Sequence, residues 1–255
     1  MTSLQLGLVF VASFVAGGVN SVAGGGTLLT FPVLLSGGLD SIAANATNSA
    51  GLAPGALTSF LGYRKELANL RHLMLPLALL ALVGATVGAF LLLATPTRIF
   101  DRLIPFLILA ATLLFAFQDK LKKLGKAPTE GALEHITPGI AAYLLCVAVY
   151  GGYFGAGIGI LTLAALGMLG MTDIHKMNGL KTVFTGGLNV VASVVLLLNG
   201  KVDLKIAALM TLGAMLGGWL GVGGARRLGA SNVRKLMILI GIVLSVQTLL
   251  RYWVL

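Results

Sequence analysis

Two glycine-rich stretches interrupt long apolar segments of this chain and stand about 134 residues apart, counted from Gly17 to Gly151. The first runs Gly17-Gly18-Val19-Asn20-Ser21-Val22-Ala23-Gly24-Gly25-Gly26-Thr27. The second runs Gly151-Gly152-Tyr153-Phe154-Gly155-Ala156-Gly157-Ile158-Gly159-Ile160-Leu161-Thr162. Each is followed by an asparagine-bearing helical segment. A helix broken in apolar surroundings leaves backbone N–H and C=O groups that only buried protein or a water-filled cavity can satisfy. Breaks repeated at corresponding places in two halves point to the central binding site of a membrane transporter.

The composition agrees. Hydrophobic residues make up 57% of the chain and charged residues 10%, and the mean hydropathy is +0.98. A soluble domain carries roughly a quarter charged residues. Uncharged runs such as 73–93, 104–117 and 207–222 approach or reach the ~20 residues that cross a bilayer. The expected fold class is therefore an all-α polytopic membrane protein in the lipid bilayer of the inner or plasma membrane. Barrel strands are excluded because they alternate in polarity. The net charge of +10 sits in short loops between apolar runs, where it sets membrane orientation, so no nucleic-acid partner is expected. The start, Met1-Thr2-Ser3-Leu4, has no basic leader or cleavage site and reads as an uncleaved first membrane segment.

Charges and turn residues divide the chain into two similar halves. Residues 1–117 hold a broken segment at 4–36 and helices near 42–63, 72–95 and 99–117. A polar linker at 118–135 carries Lys120, Lys122, Lys123 and Lys126 with Gly125 and Pro128. Residues 136–255 repeat the order, with a broken segment at 136–170 and helices near 176–198, 204–222 and 233–254. Gly84-Ala85-Thr86-Val87-Gly88 has its counterpart in Gly213-Ala214-Met215-Leu216-Gly217. This is the pattern of an internal duplication.

The arms of the broken segments, 4–16 with 27–36 and 136–150 with 160–170, are each shorter than a full crossing. Two half-helices meeting at a glycine turn form a re-entrant hairpin. Setting aside Lys181, hairpins place twelve of the remaining basic residues on one side and five on the other; eight full crossings give ten against seven. The hairpin arrangement fits the positive-inside rule better. It puts both termini outside and inverts one half relative to the other, the geometry that underlies alternating access. Eight full crossings remain the alternative.

Lys181 is the most informative side chain. It lies early in a membrane helix, while Asp40, Glu66, Asp101, Asp119, Glu130, Glu134, Asp173 and Asp203 all fall in loops or at segment ends. An intramembrane cation without an obvious carboxylate marks an ion or substrate pathway, and its simplest partner is an anion. The alternative is snorkelling to the interface. Asn178, Lys181, Thr182, Thr185 and Asn189 share one helical face, and Asn45, Asn48, Ser49 and Ser59 share another with Ala56. Two such stripes suit an oxyanion held by hydrogen bonds, or interhelical bonds worth only ~0.6 kcal/mol each. Helix starts after Gly26 and Gly159 would add N–H groups and positive dipole ends. Asn20, Ser21 and Thr27 would add polar donors. The glycines Gly24, Gly25, Gly26, Gly155, Gly157 and Gly159 would let backbone approach the ligand, or serve helix packing alone.

No catalytic constellation is present. His72, His135 and His175 are isolated and lack metal-ligand spacing, and Cys146 is a single cysteine inside an apolar run. Neither an enzyme, a metal nor a cofactor is expected. The sequence leaves homo-oligomer formation open.

These features resemble the sulfite exporter TauE/SafE family of membrane permeases. The residues that carry the resemblance are Ala16 through Leu28, Phe31-Pro32 and Ala44-Asn45-Ala46-Thr47-Asn48 in the first half. In the second they are Gly151 through Gly159 and Met177-Asn178-Gly179-Leu180-Lys181. The resemblance spans essentially the full chain. It implies export or uptake of small sulfur-containing anions such as sulfite or organosulfonates. Family members often carry Thr or Ser after the small residue of the second repeat, where this chain reads Gly179-Leu180-Lys181, so the preferred anion is open to change. The rival readings are a passive anion channel and a non-transport assembly or structural protein.

Overall fold

The computed structural model describes residues 1–22, 24–123, 136–224 and 230–254, and no strand occurs among them. The first part of the chain forms α1 (Ser3–Val22), α2 (Thr27–Ser36), α3 (Ser41–Gly62), a single turn α4 (Arg64–Leu67), α5 (Arg71–Ala94) and α6 (Thr97–Lys123). The second forms α7 (Pro138–Tyr153), α8 (Ile158–Met168), α9 (Ile174–Leu198), α10 (Leu204–Gly224) and α11 (Ala230–Leu249), which ends in a π turn, Leu250–Val254. Helix α6 runs on past the expected boundary at Phe117, so the linker begins later than its polarity suggests. The rest of the linker, 124–135, and the Arg226-Arg227 pair lie outside the described residues.

Three long helices start on an aspartate. Asp40 accepts from the N–H of Ala43, Asp173 from those of His175 and Lys176, and Asp203 from those of Lys205 and Ile206. Each carboxylate satisfies donors that a first helical turn leaves unpaired. These backbone bonds, that of Lys176 foremost, hold the exposed Asp173 carboxyl below its ordinary range.

Five helices, Ser3–Ser21, Arg64–Ala94, Thr97–Phe117, Ile174–Leu198 and Leu204–Gly221, are long and apolar enough to cross a membrane among the described residues. Large apolar side chains such as Leu75, Val87, Phe90, Leu212 and Trp219 stand exposed along these helices. Such a surface suits lipid and not water. With 22 residues α3 is long enough to cross, but its polar face lowers its hydropathy; most of it is covered by other helices, and its buried residues include Asn45, Thr47, Asn48, Ser49 and Ser59.

Both broken segments fold back as hairpins. Gln5, near the start of α1, donates its amide to the carbonyl of Ser36 at the end of α2. A Cβ on Gly26 would lie 2.7 Å from that of Ala16, so the chain turns after α1 and α2 returns beside it. In the second hairpin the Tyr143 hydroxyl of α7 donates to the carbonyl of Leu161 in α8. One expectation needs correction. Helix α1 has 20 residues, about 30 Å, and passes straight through Gly17-Gly18. The break begins only after Val22. Likewise Gly151-Gly152 belong to α7, and the second break is confined to 154–157.

The glycines inside these helices serve close packing. A Cβ on Gly17 would lie 2.3 Å from the Ala214 carbonyl oxygen of α10, and one on Gly152 would lie 2.4 Å from that of Ala85 in α5. From the opposite side, a Cβ on Gly217 would meet the Phe14 carbonyl at 1.8 Å and one on Gly88 that of Val149 at 2.1 Å. Small residues let helix backbones approach where lipid supplies no hydrophobic drive. The pairings correspond: α10 packs on α1 and α3, and α5 packs on α7 and α9. At the centre α3 and α9 run antiparallel, with Gly186 beside Ala56 and Gly179 beside Tyr63 and Leu67.

Two outcomes follow. Gly217→Val is expected to destabilise the protein by about 1–3 kcal/mol or more, because backbone at 1.8 Å cannot give way. Gly7→Ala, with nothing within 4 Å, is expected to be neutral; fluorescence-detected size exclusion after heating separates the two. Because folding depresses the Asp173 carboxyl, its cap contributes fully above the unfolded-state pKa and is lost as pH falls through the folded-state value. A pH series of thermal unfolding should therefore show a larger loss toward acid in the wild type than in Asp173→Asn, which keeps a capping side chain without the titration.

Candidate functional site

The two breaks meet. A Cβ on Gly24 would lie 2.7 Å from the Cα of Gly159, so bare backbone touches bare backbone. Gly24 and Gly25 both have positive φ, and a Cβ on Gly25 would strike the Phe115 ring. Glycine is required there for conformation and for space alike.

A small cavity of about 30 Å³ lies at this junction. One water occupies about 10–15 Å³ on this scale, so the space admits two or three waters. Hairpin residues Gly17, Asn20, Gly24, Gly25 and Thr27 line it from one side and Gly155, Ile158 and Gly159 from the other. Leu52, Gly55, Ala56 and Ser59 of α3 and Lys181, Thr182, Thr185 and Asn189 of α9 complete the wall. No aspartate or glutamate is among these lining residues.

Lys181 is 1% exposed and points inward, which rules out snorkelling. Its Nζ donates to the carbonyls of Asn20 and Ser21 at 2.9 and 3.3 Å and to Asn178 Oδ1 at 3.1 Å. The two carbonyls belong to the last turn of α1, whose unpaired C=O groups carry the negative end of the helix dipole. The lysine therefore has protein partners, where the sequence suggested an anion alone. These three partners are oxygens that carry partial charge.

The remaining donors are unevenly distributed. Asn20 Oδ1 bridges the break by accepting from the Gly26 N–H at 2.8 Å, which leaves the amide nitrogen of Asn20 for a ligand. Thr27 accepts from Asn48 Nδ2 at 3.1 Å and keeps its own hydroxyl hydrogen to give. Helix α8 starts at the cavity wall, and its first-turn N–H groups at Ile158 and Gly159 have no carbonyl one turn back to bond. Thr182 and Thr185 turn their hydroxyl hydrogens to the carbonyls of Asn178 and Lys181, so they present lone pairs.

Several sequence candidates stand behind the wall and do not line it. Asn48 is consumed by Thr27 and Thr30 of α2. Asn45 donates to the Tyr153 carbonyl at the end of α7, and its Oδ1 is buried without a partner. Ser21 bonds the carbonyl of Gly18, and Ser49 is buried. The Gly26 N–H is taken by Asn20, and Gly157, in the left-handed conformation, packs by Leu114 and Ala111. Asn178 holds Lys181. Conversely, Leu52, Gly55, Ala56 and Ile158 line the cavity without any chemical signature in the sequence, although Ser59 and Asn189 lie on the two polar stripes.

Comparison with known proteins gives the family of the chain. The family description "Sulfite exporter TauE/SafE" matches residues 9–248. A "Probable membrane transporter protein ORF9" from Sinorhizobium sp is 32% identical, covering 97% of this chain and 96% of its own. A "Probable membrane transporter protein" from Haemophilus influenzae is 30% identical over 95% and 93%. The "Probable membrane transporter protein YfcA" of Escherichia coli K12 is 26% identical over 98% and 91%. No solved structure matches the chain. With its apolar helices, enclosed polar cavity and full-length family match, this chain is an integral multi-pass membrane transporter of the sulfite exporter TauE/SafE family.

Proposed function

We propose that the protein carries small sulfur-containing anions, sulfite or an organosulfonate, by alternating access around the cavity between the two hairpins. The observation that carries this reading is the buried Lys181 ammonium at the junction of the breaks, in a wall without carboxylates. Around it, the Asn20 amide, the Thr27 hydroxyl and the start of α8 offer donors to a trigonal or tetrahedral oxyanion. The family description supplies the sulfur chemistry.

A four-atom anion needs more room than two or three waters, so binding requires the wall to move. Two halves related as inverted repeats would suit that, and the reading is supported by the antiparallel α3 and α9 and by the counterpart that each principal helix pairing has in the other half. Rocking one half on the other would open the junction to either side in turn. The small enclosed cavity favours a carrier over an open pore.

The test is uptake of labelled sulfite by the purified protein in liposomes. Wild type is expected to show saturable uptake with counterflow exchange. Lys181→Ala should reduce it at least about tenfold, and Lys181→Arg should retain a measurable part. Undiminished uptake by folded Lys181→Ala would overturn the central-charge reading, and voltage-scaled current without exchange would make the protein a channel.

A further inference from the structure

We propose that Lys181 is an exchangeable clasp: its ammonium holds the end of α1 when no anion is bound, and transfers to the anion on binding. Substrate charge thereby releases the α1–α2 hairpin. This rests on the reading of the cavity as an anion site and adds which element the anion moves.

The geometry carries the step. An ammonium has three N–H donors, and three protein acceptors lie within hydrogen-bond reach, the carbonyls of Asn20 and Ser21 and the Oδ1 of Asn178. Lys181 also lines the cavity. An anion entering there meets a cation already engaged, and gains its full attraction only by displacing one or more of those acceptors. Two of them are backbone at the end of a helix that leads into the break, and Asn20 also ties that break through its bond to Gly26. Loosening the ammonium therefore leaves the last turn of α1 held at Ser21 by the Tyr63 hydroxyl alone, and weakens the hold on the start of α2 that runs through Asn20. A neutral ligand cannot compete with three charge-assisted bonds, so the clasp selects for charge.

The device acts on one hairpin. Eight residues past the capping Asp173 stands Lys181, and eight residues past the capping Asp40 stands Asn48. Asn48 binds Thr27 and Thr30 within its own half. The end of α7 is met instead by the neutral amide of Asn45. On the α7–α8 side an anion gains the N–H groups at the start of α8 without displacing the bond that holds the end of α7.

Asn178 separates this mechanism from simple anion binding. If Asn178 were an ordinary ligand donor, its removal would raise KM for sulfite. As a competitor for the ammonium, its removal should lower KM, by about tenfold, the size of one charge-assisted bond. Asn178→Asp, which offers the ammonium a carboxylate, should raise KM at least as much. In the wild type, hydrogen exchange of residues 17–22 should become faster when sulfite is added. A raised or unchanged KM in Asn178→Ala, an unchanged KM in Asn178→Asp, or exchange at 17–22 that slows or stays constant would each overturn the clasp. The exchange measurement needs no variant and decides the matter if the Asn178 variants fail to fold. Loss of uptake in Lys181→Ala alongside a raised KM in Asn178→Ala would leave the anion site standing and remove only the clasp.

Discussion

The structure turns on helix ends placed where water cannot reach them. In an apolar interior a helix terminus is a cost of unpaired backbone, and this chain sets three of them at one point: the end of α1 and the starts of α2 and α8. Each needs a partner. The carbonyls of Asn20 and Ser21 receive the Lys181 ammonium, and the Gly26 N–H receives the Asn20 side chain. The start of α8 faces the cavity. The polar residues of α3 and α9 follow from this requirement, since a helix beside such a junction must bring donors and acceptors to it. Burial of the ammonium is tolerated because several carbonyl dipoles share its charge.

Glycine does two jobs in the same motif, and only one is conformational. At Gly24 and Gly25 the backbone needs positive φ and there is no room for a side chain. At Gly17 and Gly152 the helix continues undisturbed, and the missing side chain lets α10 and α5 approach. Close contact there fixes α1 and α7 against the partner helix of the other half, and so fixes where each hairpin turns.

The sequence made the membrane class, the order of elements and the pairing of the two breaks legible, because long uncharged runs and repeated glycine–asparagine motifs have few other physical readings. It grouped Asn20, Thr27, Lys181, Thr182 and Thr185, which line one cavity in the structure, since helical spacing puts the α9 residues on one face. It did not locate the true start of the first break. A Gly-Gly pair inside a helix and one at its end look alike until the neighbour, Ala214, is known. Nor did it find the partners of Lys181. Backbone carbonyls carry no residue signature, so a search for a compensating carboxylate necessarily returned none. The same limit explains Asn48, whose position on the polar stripe is right but whose hydrogen bonds go to Thr27 and Thr30.

The helix pairings of the two parts of the chain correspond, but the groups that meet the two hairpins differ in charge, and the difference bears on how a carrier could work. Two identical halves would respond alike to a ligand between them, and the ligand would favour neither side. Here the end of α1 is met by an ammonium and the end of α7 by the neutral amide of Asn45. If the cavity takes an anion as proposed, that anion would compete with the first interaction more than with the second, because its attraction acts on the ammonium and not on an amide already bonded to a carbonyl. A ligand can shift a conformational equilibrium only by its differential affinity for the two states. A cation clasped to one hairpin would supply that difference from within the fold, through Lys181 at the place in α9 where α3 carries Asn48.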